Sequence, residues 1–157
     1  MDERTFYAAI GRTNFPERYY DLCSRFPVRD APLYPLKSGE VKELLSALGQ
    51  VARRDRRDNS YSSEHPIGRA MCHVGFVIQR SAMVEFWFWL EEGDRRIGSN
   101  FAVLAHQAVQ TRSEPPARTV YPRPEFHSED ELRVILAECF NLANELVAIL
   151  KQGVRRT

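Results

Sequence analysis

The stretch Met71-Cys72-His73-Val74-Gly75-Phe76-Val77-Ile78-Gln79, followed after Arg80-Ser81-Ala82 by Met83-Val84-Glu85-Phe86-Trp87-Phe88-Trp89-Leu90-Glu91, decides the fold of this chain. In both halves apolar residues recur at every second position: Cys72, Val74, Phe76 and Ile78 in the first, Val84, Phe86, Phe88 and Leu90 in the second. A side-chain period of two belongs to an extended strand with one buried face, and β-branched and aromatic residues fill such a surface well. Parity then sets the register. With a three-residue turn at 80–82, Ile78 faces Val84 and Phe76 faces Phe86, so the two apolar faces merge. A two-residue turn would set Ile78 against Glu85 and bury a carboxylate.

Working outward, Glu91-Glu92-Gly93-Asp94 reads as a hairpin turn into a third strand over 95–99. Asn100 is placed to cap a helix over 101–110. Residues 113–124 carry several prolines and read as extended, with 118–121 as a candidate fourth strand at a sheet edge, where proline is tolerated. Ser128-Glu129-Asp130-Glu131 is a capping box ahead of one wide apolar stripe (Leu132, Ile135, Leu136, Cys139, Phe140, Ala143, Leu146, Val147, Leu150), with Gly153 as the predicted stop.

On the N-terminal side, Tyr19, Leu22, Cys23 and Phe26 recur at helical spacing behind Asn14-Phe15-Pro16, while residues 5–10 fit either a helical turn or a strand. Pro27, Pro32 and Pro35 enforce an extended connection. A helix then opens at Ser38 on a stripe of Val41, Leu44, Leu45, Leu48, Val51 and Ala52. It dissolves into a polar run over 53–64, which reads as a mobile loop. These elements predict one α+β domain over residues 1–157: a three- to four-stranded antiparallel sheet, a long C-terminal helix packed across its apolar face, and two or three further helices.

Bulk properties narrow the function. Hydrophobic residues are 43% and charged residues 27% of the chain, which is the balance of a folded domain. The formal charge of +1 makes nucleic acid an unexpected partner, and no apolar stretch approaches a membrane span, so no membrane association is expected. Cys23, Cys72 and Cys139 are too few and too widely spaced for a disulfide or metal framework; together with an N-terminus lacking an apolar export signal, they predict a cytoplasmic protein with reduced thiols.

No catalytic pattern fits. His65, His73, His106 and His127 stand apart, none at helical spacing from another His, a Cys or a carboxylate pair suited to zinc, and the glycines form no phosphate loop. No catalytic residue, metal or cofactor is therefore expected. Three places retain chemical interest. Glu85 sits mid-strand among aromatics, with His73 facing Trp89 in the predicted register, which keeps open an enzyme with an unfamiliar site. The run Arg53, Arg54, Arg56 and Arg57 keeps open a small-ligand or nucleic-acid accessory role, although interspersed Asp55 and Asp58 favour a solvated loop. The hairpin itself carries both tryptophans of the chain beside four carboxylates; Glu85, Trp87, Trp89, Glu91, Glu92 and Asp94 are the predicted partner-binding residues, fitted to a basic protein, the alternative being that helices cover both sheet faces and make the tryptophans core.

The strand Phe86-Trp87-Phe88-Trp89-Leu90-Glu91 and the turn Arg96-Ile97-Gly98-Ser99-Asn100-Phe101 resemble, in style, the immunity proteins that bacteria make against their own polymorphic toxins. That resemblance implies a cytoplasmic inhibitor that occludes a protein partner such as a toxin domain. Many such inhibitors are acidic, and this near-neutral chain departs from them there.

Overall fold

Strands β3 (Ala70–Gln79) and β4 (Met83–Glu92) pair antiparallel with Ile78 opposite Val84 and Phe76 opposite Phe86, the register that merges the two apolar faces. The computed structural model describes residues 1–80, 82–112 and 121–154. Burial along β4 alternates strictly through Leu90: Val84, Phe86, Phe88 and Leu90 are buried, and the residues between them are half-exposed. Around this pair the sheet is a five-stranded antiparallel meander in the order β1 (Arg53–Asp55), β2 (Ser60–Ile67), β3, β4, β5 (Arg95–Asn100).

The sheet is therefore wider than the three or four strands predicted, and the polar run over 53–64 is a hairpin and not a mobile loop. Asn59 adopts a left-handed φ of 58° in its turn, where the Asp55 and Asp58 carboxylates accept the backbone N–H groups of Arg57 and Ser60 at 2.8 and 3.0 Å. Its strand signal is weak because β1 is an exposed edge and the inward face of β2 is Tyr61, Ser63, His65 and Ile67, half of it polar. The candidate edge strand at 118–121 falls, except for Tyr121, outside the described residues.

Five helices occur among the described residues: α1 (Glu3–Gly11), α2 (Phe15–Arg25), α3 (Glu40–Ala47), α4 (Phe101–Gln110) and α5 (Glu129–Val154). The undecided segment 5–10 is helical, started by Asp2, whose Oδ1 accepts the Thr5 N–H at 2.7 Å. Asn100 caps α4 as expected, its Oδ1 accepting from Val103 N at 3.0 Å. The third helix is shorter than its apolar stripe implied. Gly49, at φ 67°, turns the chain so that Gln50 N–H reaches the Leu45 carbonyl at 2.9 Å, a left-handed C-cap that leaves Val51 89% exposed. Gly153, by contrast, does not stop α5, which continues through Val154.

The helices lie together on the inward face of the sheet. Phe76 and Phe86 stack at 5.0 Å between centroids, and Phe140 of α5 stands edge-on to both, at 6.0 and 5.1 Å. Phe101 of α4 extends the cluster from Phe86 to Phe15 of α2, and Phe6 of α1 lies over Phe88. Each buried aromatic of this kind removes apolar area worth about 1.5–3 kcal/mol from water. Replacing Phe86 or Leu136, both in this layer, by Ala is expected to lower the unfolding free energy by about 2–5 kcal/mol in urea titrations, and a loss below about 0.5 kcal/mol at both would displace the core from this interface. The three thiols are free and buried, and burial pushes those of Cys23 and Cys72 up to about 12 and that of Cys139 well above its usual range. They are expected to stay silent toward a disulfide reagent at neutral pH until the chain is unfolded, when three equivalents should react.

Candidate functional site

The same alternation that buries Phe86 and Phe88 turns Glu85, Trp87, Trp89 and Glu91 to the opposite face, where Val77, Gly75, His73 and Met71 stand across from them on β3. No described helix packs there, and the side chains remain half-exposed or exposed. An antiparallel sheet with one wet face tolerates this, but two tryptophans are an unusual filling for it.

The tryptophans are held rather than loose. Trp87 and Trp89 stack with centroids 5.6 Å apart and planes within 12°, and the Arg96 guanidinium sits 3.6 Å from the Trp89 ring centroid. Two glycines make the arrangement possible. Gly75 is the cross-strand partner of Trp87 and Gly98 that of Trp89, on opposite flanks of β4. A Cβ on residue 75 would fall inside the Trp87 indole, so the ring lies in the groove that the missing side chain leaves. Gly98 has φ 125°, a conformation that a side chain would strain, and a Cβ there would strike the backbone of Phe88 and Trp89. Such stacking and cation–π contact contribute about 0.5–2 kcal/mol each and restrain the rings.

Charge surrounds this ladder. His73 lies 5.9 Å from Trp89, with its ring nitrogens 3.6 Å from carboxylate oxygens of Glu64 on one side and Glu91 on the other. Trp87 Nε1 is shielded and has no acceptor among the described residues.

The six predicted partner-binding residues separate into three groups. Trp87, Trp89 and Glu91 share the open face. Glu85 also points there, but its carboxylate is ion-paired with Arg123, a residue 38 positions away that the strand pattern did not reveal. Asp94 is exposed in the β4–β5 turn beside Gly93. Glu92 has the opposite parity: its carboxylate is 3.5 Å from the Met1 amine, and it lines a cavity of about 490 Å³ with Ile67, Leu90 and Ile97 on the helix side. Arg96 and His73, in turn, belong to the face although sequence reading did not include them in the partner set; the register Glu91 opposite Arg96 and Trp89 opposite His73 is what brings them in.

The catalytic alternative loses its geometry. Glu85 lies opposite Val77 and His73 opposite Trp89, which sets the two candidate groups roughly 13 Å apart along the strands. Among the described residues no group of three or more His, Cys, Asp and Glu side chains converges as a metal site. A buried polar pair that sequence reading missed, Glu125 and His127, is structural in placement. His127 sets Nε2 2.5 Å from Glu125 Oε1 and Nδ1 3.0 Å from the Pro32 carbonyl, while Glu125 accepts the Arg29 N–H at 3.2 Å. These bonds lock the proline-rich connection against the start of α5.

No family model matches the chain, and no curated protein and no solved structure matches it. No described helix is long and apolar enough to cross a membrane. Gly75→Ala tests the face directly. It is expected to cost about 1–3 kcal/mol through overpacking and to shift tryptophan emission as Trp87 leaves its groove, whereas unchanged emission would show that the glycine does not seat the indole.

Proposed function

We propose that this chain is a cytoplasmic protein-binding inhibitor of the immunity kind, which neutralises a toxin domain by covering it with the open face of its sheet. One observation carries the reading: the Trp87–Trp89–Arg96 ladder is ordered and half-exposed on a face with no helix of its own among the described residues. Ordered aromatics make good interface anchors because little rotamer entropy remains to be lost when a partner arrives.

The rim supplies orientation. Glu64 and Glu91 flank His73 next to Trp89, and Asp94 is exposed at the hairpin end. Arg96 keeps its positive charge while stacked on the indole, but Glu64, Glu91 and Asp94 outnumber it, so the balance around Trp89 is acidic and fits a basic partner surface. Glu85, neutralised by Arg123, contributes shape rather than charge. Occlusion of this sort needs no catalytic group, in keeping with the separation of Glu85 from His73.

Co-expression with a toxin-like domain, sought first in the reading frames neighbouring this gene, tests the proposal. Wild-type chain is expected to protect cells and to form a complex stable to gel filtration. Trp89→Ala is expected to weaken that complex about thirtyfold or more, the size of an interface hot spot, while the free protein keeps its fold. Full protection and unchanged affinity in Trp89→Ala and in Glu91→Lys would remove the open face from the interface.

A further inference from the structure

On the other side of the sheet, between α3 and the β1–β2 hairpin, lies a groove of about 570 Å³ whose lining includes Lys42, Arg54 and Arg56 and contains no Asp or Glu. That is unexpected for a chain with 22 basic and 21 acidic residues. Several described arginines elsewhere find carboxylates: Arg18 pairs with Glu145, Arg25 with Glu138, Arg29 with Glu131, Arg112 with Glu17 and Arg133 with Glu129. Lys42, Arg54 and Arg56 have no such partner among the described residues.

The hairpin explains why. Asp55 and Asp58, which as sequence neighbours should neutralise the arginines, point their carboxylates at the backbone N–H groups of Arg57 and Ser60. The Ser60 contacts hold the Asp58 carboxyl below its usual range, so this acid is committed to the turn. Asn59 then grips Arg54, its Oδ1 accepting from the Nε and one terminal nitrogen at 3.0 and 2.6 Å, and the guanidinium lies 5.9 Å from the Tyr61 ring. Arg54 is thus positioned by neutral partners, with its charge uncompensated. Below the cations, Leu45 and Ala52 supply an apolar floor.

We infer that this groove binds a small organic phosphate, its phosphate held by Lys42, Arg54 and Arg56 and its body resting on Leu45 and Ala52. Three cations with no competing carboxylate focus a positive potential into a concave site, and guanidinium forks match phosphate oxygens. The cavity is of the size that small ligands fill. A polymeric nucleic acid fits less well, because the groove lining gathers only three cations in one concave site and offers a single aromatic, Tyr61, for bases to stack on. The inference is independent of the toxin-binding reading, since the groove and the tryptophan ladder are on opposite faces.

The probe is ADP, titrated by isothermal calorimetry at low salt, with an oligothymidylate as comparison. Wild-type protein is expected to bind ADP, more weakly as salt is raised. The double variant Lys42→Gln/Arg56→Gln is expected to bind about tenfold or more weakly with an unchanged melting temperature, as exposed charges permit. Trp89→Ala is expected to bind ADP as the wild type does, which separates this site from the open face. Absence of ADP binding at millimolar concentration overturns the inference, as does equal binding by the double variant. Oligothymidylate binding more tightly than ADP, and lost in the double variant, overturns it in favour of a nucleic-acid backbone site.

Discussion

Phe76 facing Phe86 across β3 and β4, with Phe140 edge-on above them, is the contact on which the rest of the molecule hangs. Because strand side chains alternate, this one pairing assigns every residue from 70 to 92 to a face. A slip of one residue would drive Glu85 and both tryptophans into the helical layer and expose Val84, Phe86, Phe88 and Leu90. Burying that carboxylate without its Arg123 partner would cost several kcal/mol on its own. The helices then read the inward face: α5 through Phe140, α4 through Phe101 and α1 through Phe6 all close on the aromatic row it presents.

The outward face is built with comparable care. Glycine inside a strand sacrifices about 0.5–1 kcal/mol relative to Ala and gives no packing area of its own. Here Gly75 and Gly98 stand directly across from the two tryptophans of the chain, one on each neighbouring strand. The lost propensity is offset by the indole area that settles into the gap and by Arg96 stacked on Trp89. The result is an aromatic surface that is wet yet rigid, and stability alone does not require one. A pair of threonines would cover the same strand with less exposed apolar area.

Charge follows a similar division between the two ends of the sheet. Near α2 and α5, arginines and carboxylates more than a hundred positions apart in sequence meet in exposed pairs, Arg18 with Glu145 and Arg25 with Glu138. Each contributes little energy but leaves no surplus field. At the β1–β2 hairpin the acids are consumed by their own turn, and the arginines remain uncompensated. Near-neutral totals therefore conceal a local basic groove, because neutralisation depends on where a carboxylate points and not on how many there are.

Sequence alone determined the central hairpin, its register, the capped helices after Asn100 and Ser128, and the placement of Trp87 and Trp89 on the face opposite Phe86 and Phe88, but left open whether helices cover that face. These features rest on nearest-neighbour rules, where alternation, capping chemistry and turn parity act within a few residues. It left the β1–β2 hairpin unreadable, since an edge strand and a half-polar inner face carry no alternation strong enough to separate strand from loop. It overextended α3, because Val51 and Ala52 keep the apolar period after Gly49 has already turned the chain. In the candidate site the tryptophans were legible, but their seats on Gly75 and Gly98, the Arg96 stack, the Glu85–Arg123 pair and the diversion of Glu92 toward Met1 were decided only by tertiary structure. The physical reason is the same in each case: these contacts join residues on different strands or segments, and a side chain's partner across that distance is set by register and packing, which no local pattern encodes.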